Sequence, residues 1–369
     1  MNIVFRVDAS LQMGTGHLMR CLTLADALKA QGASCHFICR EHPGNLNAVV
    51  VQRGHSLSVL PYAPGAPLSD PVAPAHAEWL GASWKDDAIQ TLELLADETA
   101  DWLIVDHYAL DRRWESQVAK HCRRLMVIDD LADRDHECDV LLDQNLGRQE
   151  QDYSQRVPPS CQLLLGPQFS LLRPEFAQLR EQSLAGRAGR KLQNLLISMG
   201  GVDADNATGQ VLEGLRSIVD PHWNIQVVMG ATAPWRAAVE ALAQSMPCHT
   251  KVLVNTSNMA ELMSKADLAI GAAGSTSWER CCLGLPSIML ILAENQRGIA
   301  EHLKLNGAAT LIDSSNSVAE LLPIEIDELR SAEKLTQMSS AAERITDGLG
   351  TERVTEILAR QAGSSHGMH

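Results

Sequence analysis

Short apolar, β-branched runs, each followed by an amphipathic stretch, recur along almost the whole chain. This alternation restricts the fold to strands joined by helical crossovers. "NIVFRVD" at residues 2–8 precedes a helix expected from about Gly16 to Gln31. "SCHFICR" precedes a helix that ends before "RGHSLSVL". Three such cycles imply a parallel sheet. Between Pro61 and Ala75 the chain is rich in Pro and Ala, which predicts an exposed loop, and a helix is expected from about Lys85 to Glu98. "DWLIVDHYALD" and "RLMVIDDLADR" read as buried strands that deliver carboxylates at their carboxyl ends, where open α/β sheets bind ligands.

"SLAGRAGRKLQ", Ser183 to Gln193, has the Gly, Ser and basic composition of a linker, and the strand–helix alternation restarts beyond it. With 369 residues, 45% of them hydrophobic, there is enough core for two domains, expected at 1–185 and 186–362. In the second half strands are read at "NLLISMGG", "WNIQVVMG", "TKVLVN", "ADLAIGAAG" and "PSIMLIL". Helices are read from about Asn206, near Trp235 to Ser245, and over Met259 to Lys265. The fold class is α/β with two Rossmann-like halves; facing one another, they would enclose a central cleft. The terminal "GSSHGMH" is set aside from this reading.

A net charge of −14 without a basic stripe argues against nucleic acid as a partner. The longest apolar run, "LGLPSIMLILA" from Leu283, is broken by Gly, Pro and Ser and is too short to span a bilayer, so no membrane partner is expected. Nine irregularly spaced cysteines, with Cys281 and Cys282 adjacent, no CxxC pair and no secretory leader, point to a reduced, cytoplasmic protein. No His, Cys or carboxylate spacing suits a metal, and Cys35-His36 fits a buried strand, so neither a metal nor a cofactor is expected.

The loop "DASLQMGTGH" places Gly14 and Gly16 between a strand and a helix, where the backbone can turn sharply and approach a ligand. It is not a dinucleotide fingerprint, because His17-Leu18-Met19 replaces the third glycine position. At a helix N-terminus the dipole disfavours imidazolium, so His17 is expected to stay neutral and able to accept a proton. A capping or packing histidine suits the same position. In "DLAIGAAGSTSWER", Gly271 and Gly274 flank small residues, and Ser275 and Thr276 open a helix with free N–H groups, the pattern of an anion site. Glu279, one turn on, can face the same end and bind a diol such as a ribose, or simply pair with the helix dipole.

"AENQ" places Asn295 and Gln296 at another strand's carboxyl end, with amides able to donate to a ligand. In "ISMGGVDADN", Gly200 and Gly201 allow close approach to phosphate, or form a tight turn capped by Asp203 or Asp205. Arg173, before a proline in "LLGPQFSLLRPEF", clamps a phosphate or pairs with Glu175.

The ordered series "RVDASLQMGTGHLMRCLTLA", "DHYALD", "VIDDLADRDHECDVLLDQN", "LLGPQFSLLRPEF", "SMGGVDADN" and "GAAGSTSWERCCLGLPSIMLILAENQ" spans residue 3 to about 300. It resembles the UDP-sugar hydrolases of pseudaminic acid biosynthesis. These are GT-B-fold relatives of the N-acetylglucosaminyltransferase that makes the peptidoglycan lipid precursor. The resemblance implies a GT-B architecture and hydrolysis of UDP-2,4-diacetamido-2,4,6-trideoxy-β-L-altropyranose to UDP and the free sugar. It implies that His17 is the base, that Glu279 holds the ribose, and that Gly274 and Ser275 bind phosphate. It adds Tyr108 of "DHYALD" and Asn145 of "DQNLGR" to the substrate-binding candidates. The N-terminal half would then carry sugar and base, and the C-terminal half UDP. The segment Pro61 to Trp84 is longer than the family's compact N-terminal half requires.

UDP is a good leaving group, so the implied reaction needs a positioned water, a base and donors for charge on the β-phosphate rather than a strong acid. Asp8, Asp106, Asp129 and Asp130 are strand-end carboxylates able to orient His17 or the sugar, and the sequence does not choose among them. A glycosyltransferase using the same nucleotide site would be marked by an apolar acceptor groove or a basic membrane-facing patch, and neither stands out. A non-catalytic nucleotide-sugar sensor is the remaining alternative. The sequence leaves the oligomeric state open and is compatible with a monomer.

Overall fold

Ile3, Phe5 and Val7 alternate with Val4 and Arg6 in the first strand, so each side of the sheet receives every second residue and both sides are buried. A computed structural model describes residues 1–63, 73–95, 99–313 and 318–364. The chain divides into two units, 1–171 with the residues from 350 onward, and 172–349. Residues 64–72 of the Pro/Ala-rich loop, 96–98 of the expected Lys85–Glu98 helix and 365–369 of the terminal stretch lie outside the described residues.

The first unit is built on seven strands: β1 (Asn2–Val7), β2 (Ser34–Arg40), β3 (Ser56–Leu60), β4 (Trp102–Asp106), β5 (Leu125–Ile128), β6 (Val140–Asp143) and β7 (Gln162–Leu165). They form one parallel sheet in the order β3-β2-β1-β4-β5-β6-β7. The order reverses between β1 and β4, whose ends are in register at Val7 and Asp106. At such a switch point the connecting chains leave to opposite sides and open a crevice beyond the carboxyl ends.

One face packs Ile3, Phe5, Phe37 and Trp102 against the helix Gly16–Ala30 through Leu18 and Leu22. Phe5 and Phe37 stack with ring centroids 4.7 Å apart. The other face packs Val4, Leu103, Val105 and Leu141 against Ala88 of the helix Trp84–Leu95 and Trp114 of the helix Arg112–Val118.

The second unit repeats the plan with β8 (Asn194–Ser198), β9 (Asn224–Met229), β10 (His249–Val254), β11 (Leu268–Ala272), β12 (Ser287–Leu290) and β13 (Ala309–Ile312), ordered β10-β9-β8-β11-β12-β13 and parallel throughout. Its switch point lies between β8 and β11.

The division falls at 171/172 rather than near 185. Residues 183–193 are not a linker joining two units: Ser183 lies in the last turn of a helix, Pro174–Ala185, that belongs to the second one. The buried Arg187 guanidinium donates to the carbonyls of Leu283 (2.9 Å), Ala266 (2.6 Å) and Met263 (2.9 Å). The last two lie at the C-terminal end of the helix Met259–Lys265, where carbonyls have no partner within the helix. The helix Gly350–Ser364 returns to the first unit, burying Val354 and Leu358 there, with the Trp102 indole N–H donating to the Leu358 carbonyl at 3.2 Å.

Candidate active site

The loop after β1 is a tight turn: Gly14 N–H donates to the Ser10 carbonyl at 2.9 Å, and Ser10 Oγ accepts from the N–H of Met13 at 2.9 Å. Gly14 has φ +76°, and an added Cβ would meet nothing within 4 Å, so the left-handed backbone rather than crowding calls for glycine. Gly16 then starts the helix, and His17 is its second residue.

His17 Nδ1 lies 2.6 Å from Asp106 Oδ1 at the end of β4. Arg20, one turn further along the helix, grips the same carboxylate with two bonds, Nε to Oδ2 at 2.6 Å and Nη2 to Oδ1 at 2.7 Å. Its Nη1 reaches Asp130 at 2.7 Å. Burial alone would raise the Asp106 carboxyl, but the Arg20 guanidinium and His17 outweigh it and hold the group well below the usual carboxylate range. An ionised Asp106 can only accept, so Nδ1 carries a proton, and Nε2 is the ring nitrogen that Asp106 does not engage.

Tyr108 and Asn145 join the same network. The Tyr108 hydroxyl donates to Asp130 Oδ2 at 2.8 Å, its ring meets the His17 ring edge-on at 4.4 Å, and Asn145 Nδ2 donates to the Asp130 carbonyl at 3.0 Å. Of the four candidate aspartates, Asp106 holds His17. Asp8 is taken up by Arg6 (2.7 Å) and the Arg40 N–H (2.6 Å) in a buried ion cluster that Asp87 completes. Asp129 accepts from the Ala132 N–H and the Tyr153 hydroxyl, each at 2.8 Å. The sequence reading missed Arg20, whose one-turn spacing from His17 was its only local signal. It also missed His76 and Trp79, whose rings lie 5.5 and 5.9 Å from that of Tyr108 and which follow the stretch read as loop, in the longer Pro61 to Trp84 segment.

In the second unit β11 leads through Ala273, Gly274 and Ser275 into the helix Thr276–Cys282. A Cβ at Gly271 would meet the Ser198 carbonyl and Arg280 Nη1 at 2.5 Å, whereas one at Gly274 meets nothing within 4 Å. Ser275 is exposed, and its side chain makes no capping bond. Beneath the loop lies the buried Arg280, also missed. Its Nη2 donates to the Ala272 carbonyl at 2.9 Å and to Ser277 Oγ at 3.0 Å, and burial pushes the guanidinium down to about 10.

Arg173 pairs with Glu175 at 3.1 Å and also reaches Glu279 at 3.7 Å, so the two candidates on different elements, Arg173 and Glu279, come together. Burial pushes the Glu279 carboxyl up to about 7 against the pull of Arg173. At the β8 turn Gly200 has φ +90°, and the Gly201 carbonyl sits so close to Gly230 that a Cβ there would meet it. Asp203 accepts from the N–H groups of Ala207 and Thr208, while the Asn206 side chain accepts from Gly209. Gln296 Oε1 accepts from the Leu292 N–H at 3.0 Å, leaving its amide N–H groups for a ligand, and the neighbouring Asn295 is exposed. Among the described residues no group of three or more His, Cys, Asp or Glu could hold a metal ion, and no helix is long and apolar enough to cross a membrane.

Residues 195–354 match the glycosyltransferase family 28 C-terminal domain. MurG of Acinetobacter baumannii superposes with a TM-score of 0.67 at 17% identity, over 97% of this chain and 99% of that one. The fold is therefore that of the GT-B class, two parallel α/β units. Within that class the chain is similar in sequence to a UDP-2,4-diacetamido-2,4,6-trideoxy-β-L-altropyranose hydrolase. It is 25% identical to the Campylobacter jejuni enzyme of that name over 309 residues, 83% of this chain and 97% of that protein. It is 31% identical to the spore coat polysaccharide biosynthesis protein SpsG of Bacillus subtilis over 55% of this chain, and 25% identical to an uncharacterized protein of Methanocaldococcus jannaschii, MJ1062, over 80%. The matches span 59% and 57% of the lengths of those two relatives.

Proposed function

We propose that the chain hydrolyses UDP-2,4-diacetamido-2,4,6-trideoxy-β-L-altropyranose to UDP and the free sugar, with His17 as general base. The observation that carries this reading is the His17–Asp106–Arg20 arrangement at the switch point of the first sheet. Nε2 of His17 takes a proton from water as the water oxygen bonds to the anomeric carbon, and the bond from that carbon to the UDP oxygen breaks. Asp106 stabilises the imidazolium that forms. The first unit supplies the base and the sugar-binding groups Tyr108 and Asn145. The second supplies the UDP-binding groups: the amides around Gly201, Gly274 and Ser275, the side chains of Asn295 and Gln296, Arg173 for phosphate and Glu279 for the ribose. The deciding experiment is to incubate the pure protein with the UDP-sugar in plain buffer and measure released UDP. The family 28 domain match favours a second reading, transfer of the sugar to an alcohol. UDP release only after an acceptor is added would establish that reading instead.

With one base and no carboxylate nucleophile in the first loop, a single displacement should invert the anomeric configuration. In heavy-oxygen water the label is expected in the sugar, with the inverted anomer seen by NMR before mutarotation. Label in UDP would mean attack at phosphorus and would overturn the mechanism.

A Glu279 carboxylate accepting two ribose hydroxyls makes a testable contribution: Glu279→Ala should weaken UDP binding by about 1–3 kcal/mol. The ionised form is the better acceptor, so uridine affinity should rise as pH increases through about 7, and Glu279→Gln should abolish that rise. The effect of this group on folding has the opposite sense. The folded chain keeps a proton that the unfolded chain releases near 4.5, so stability from Glu279 is complete below that value and lost as pH rises through about 7. Calorimetric titrations of uridine at several pH values check the binding arm; a flat profile returns Glu279 to pairing with the helix end.

A further inference from the structure

Cys138 and Cys161 precede β6 and β7 at the amino ends of these neighbouring strands, away from the carboxyl ends where His17 and Asp106 meet. Their sulfurs are 3.6 Å apart across a sequence separation of 23. Among the described residues, which include all nine cysteines, no other two cysteine sulfurs lie within hydrogen-bonding distance of each other. The backbones that carry the pair are tied together by Gln162 N–H donating to the Asp139 carbonyl at 2.9 Å and His136 N–H to the Arg156 carbonyl at 2.7 Å. Cys138 is buried, whereas Cys161 is partly open to solvent beyond the Pro158-Pro159 turn.

We propose that Cys138 and Cys161 form a reversible disulfide site, oxidised by a peroxide, that nothing in the proposed reaction uses. The chemistry runs in two steps. The Cys161 thiolate attacks one peroxide oxygen, the O–O bond breaks, hydroxide leaves and a sulfenic acid forms. Cys138, losing its proton, then attacks the sulfenic sulfur, the S–O bond breaks, and the second hydroxide takes up that proton as water. Two electrons pass from the two sulfurs to the peroxide. Bringing 3.6 Å to the roughly 2.0 Å of an S–S bond is a closing of two sulfurs carried by strand ends already tied together.

Reactivity is directed to one sulfur. The hydrogen bond between the two sulfurs pushes the Cys161 thiol below its ordinary value, favouring thiolate at the more exposed member. The other thiols move the opposite way. Burial pushes Cys35, Cys122 and Cys281 up to about 12 and Cys282 up to about 11, and it also raises Cys21, Cys39 and Cys248. Thiols of that kind are poor nucleophiles. The adjacent Cys281 and Cys282, the pair most visible in the sequence, are both buried and therefore inert.

The test uses the full chain. Wild-type protein is treated with a small excess of hydrogen peroxide, remaining thiols are blocked, and peptides are mapped without reduction. A single Cys138–Cys161 crosslink, reversed by dithiothreitol, is expected. In Cys138→Ser the reaction should stop at a Cys161 sulfenic acid that dimedone traps. Wild-type Cys161 left unreacted or carried to sulfinic acid without a crosslink, or a disulfide recovered chiefly from other cysteines, would overturn the proposal. Because the primary readout is on wild-type protein, a variant that fails to fold does not affect the result.

Discussion

Replacing His17 by Asn or Ala is expected to lower kcat by about 10²–10⁴ while leaving UDP affinity nearly unchanged, because the base acts on water and not on the nucleotide. The environment of the ring sharpens this expectation. Nδ1 is committed to Asp106, and the ring packs against Tyr108, so one nitrogen remains for chemistry. Asn retains a hydrogen-bonding group for Asp106 but has no basic nitrogen. Steady-state rates together with calorimetry of UDP binding check the prediction; near-normal turnover in either variant removes His17 from the base role.

Asp106→Asn should be nearly as damaging by another route. An amide can donate to Nδ1 and so stabilise the tautomer whose proton sits on Nε2, which cannot accept one from water. The corresponding change in the Ser-His-Asp triad costs about 10⁴ in rate. The substitution also takes from Arg20 the carboxylate that accepts two of its bonds, leaving it paired with Asp130, and so lowers stability. A thermal melt separates the two effects. The double variant His17→Asn/Asp106→Asn should turn over no more slowly than His17→Asn alone, since the aspartate acts through the histidine. Additive losses would mean that Asp106 has a role of its own.

The two α/β units were legible because long parallel strands and their crossovers impose a pattern in the sequence itself. The helix read at Gly16–Gln31 is found at Gly16–Ala30, and the one read at Met259–Lys265 has those bounds. The strands β6, β7 and β13 were not read. Each has four residues; Val140–Asp143 is buried on both faces and has no alternation to detect, and the other two are too short to establish a period. The glycine loops and His17 could be found locally. The partner of His17 could not, since Asp106 is 89 residues away and was one of four strand-end aspartates with the same local appearance. Only the register of β1 against β4 brings it to the helix start. Arg280 was passed over because a charged residue in a helix reads as solvated, and Arg187 because it stands in a stretch with the composition of a linker, whereas both are buried and bound to carbonyls.

The return of Gly350–Ser364 to the first unit sets the order in which this protein can be finished during its synthesis. Domains generally complete as units while the chain emerges from the ribosome, usually with the N-terminal one first. Here the sequence of events is reversed. The second unit is contiguous and complete once residue 349 has emerged, while the first, begun at residue 1, still lacks its last helix. Until then the Trp102 indole has no Leu358 carbonyl, Gln31 has no Thr355 hydroxyl, and the sheet face destined to meet Val354 and Leu358 stays open. A chain ending at residue 349 would therefore carry every proposed site residue and yet leave its base on the unfinished unit.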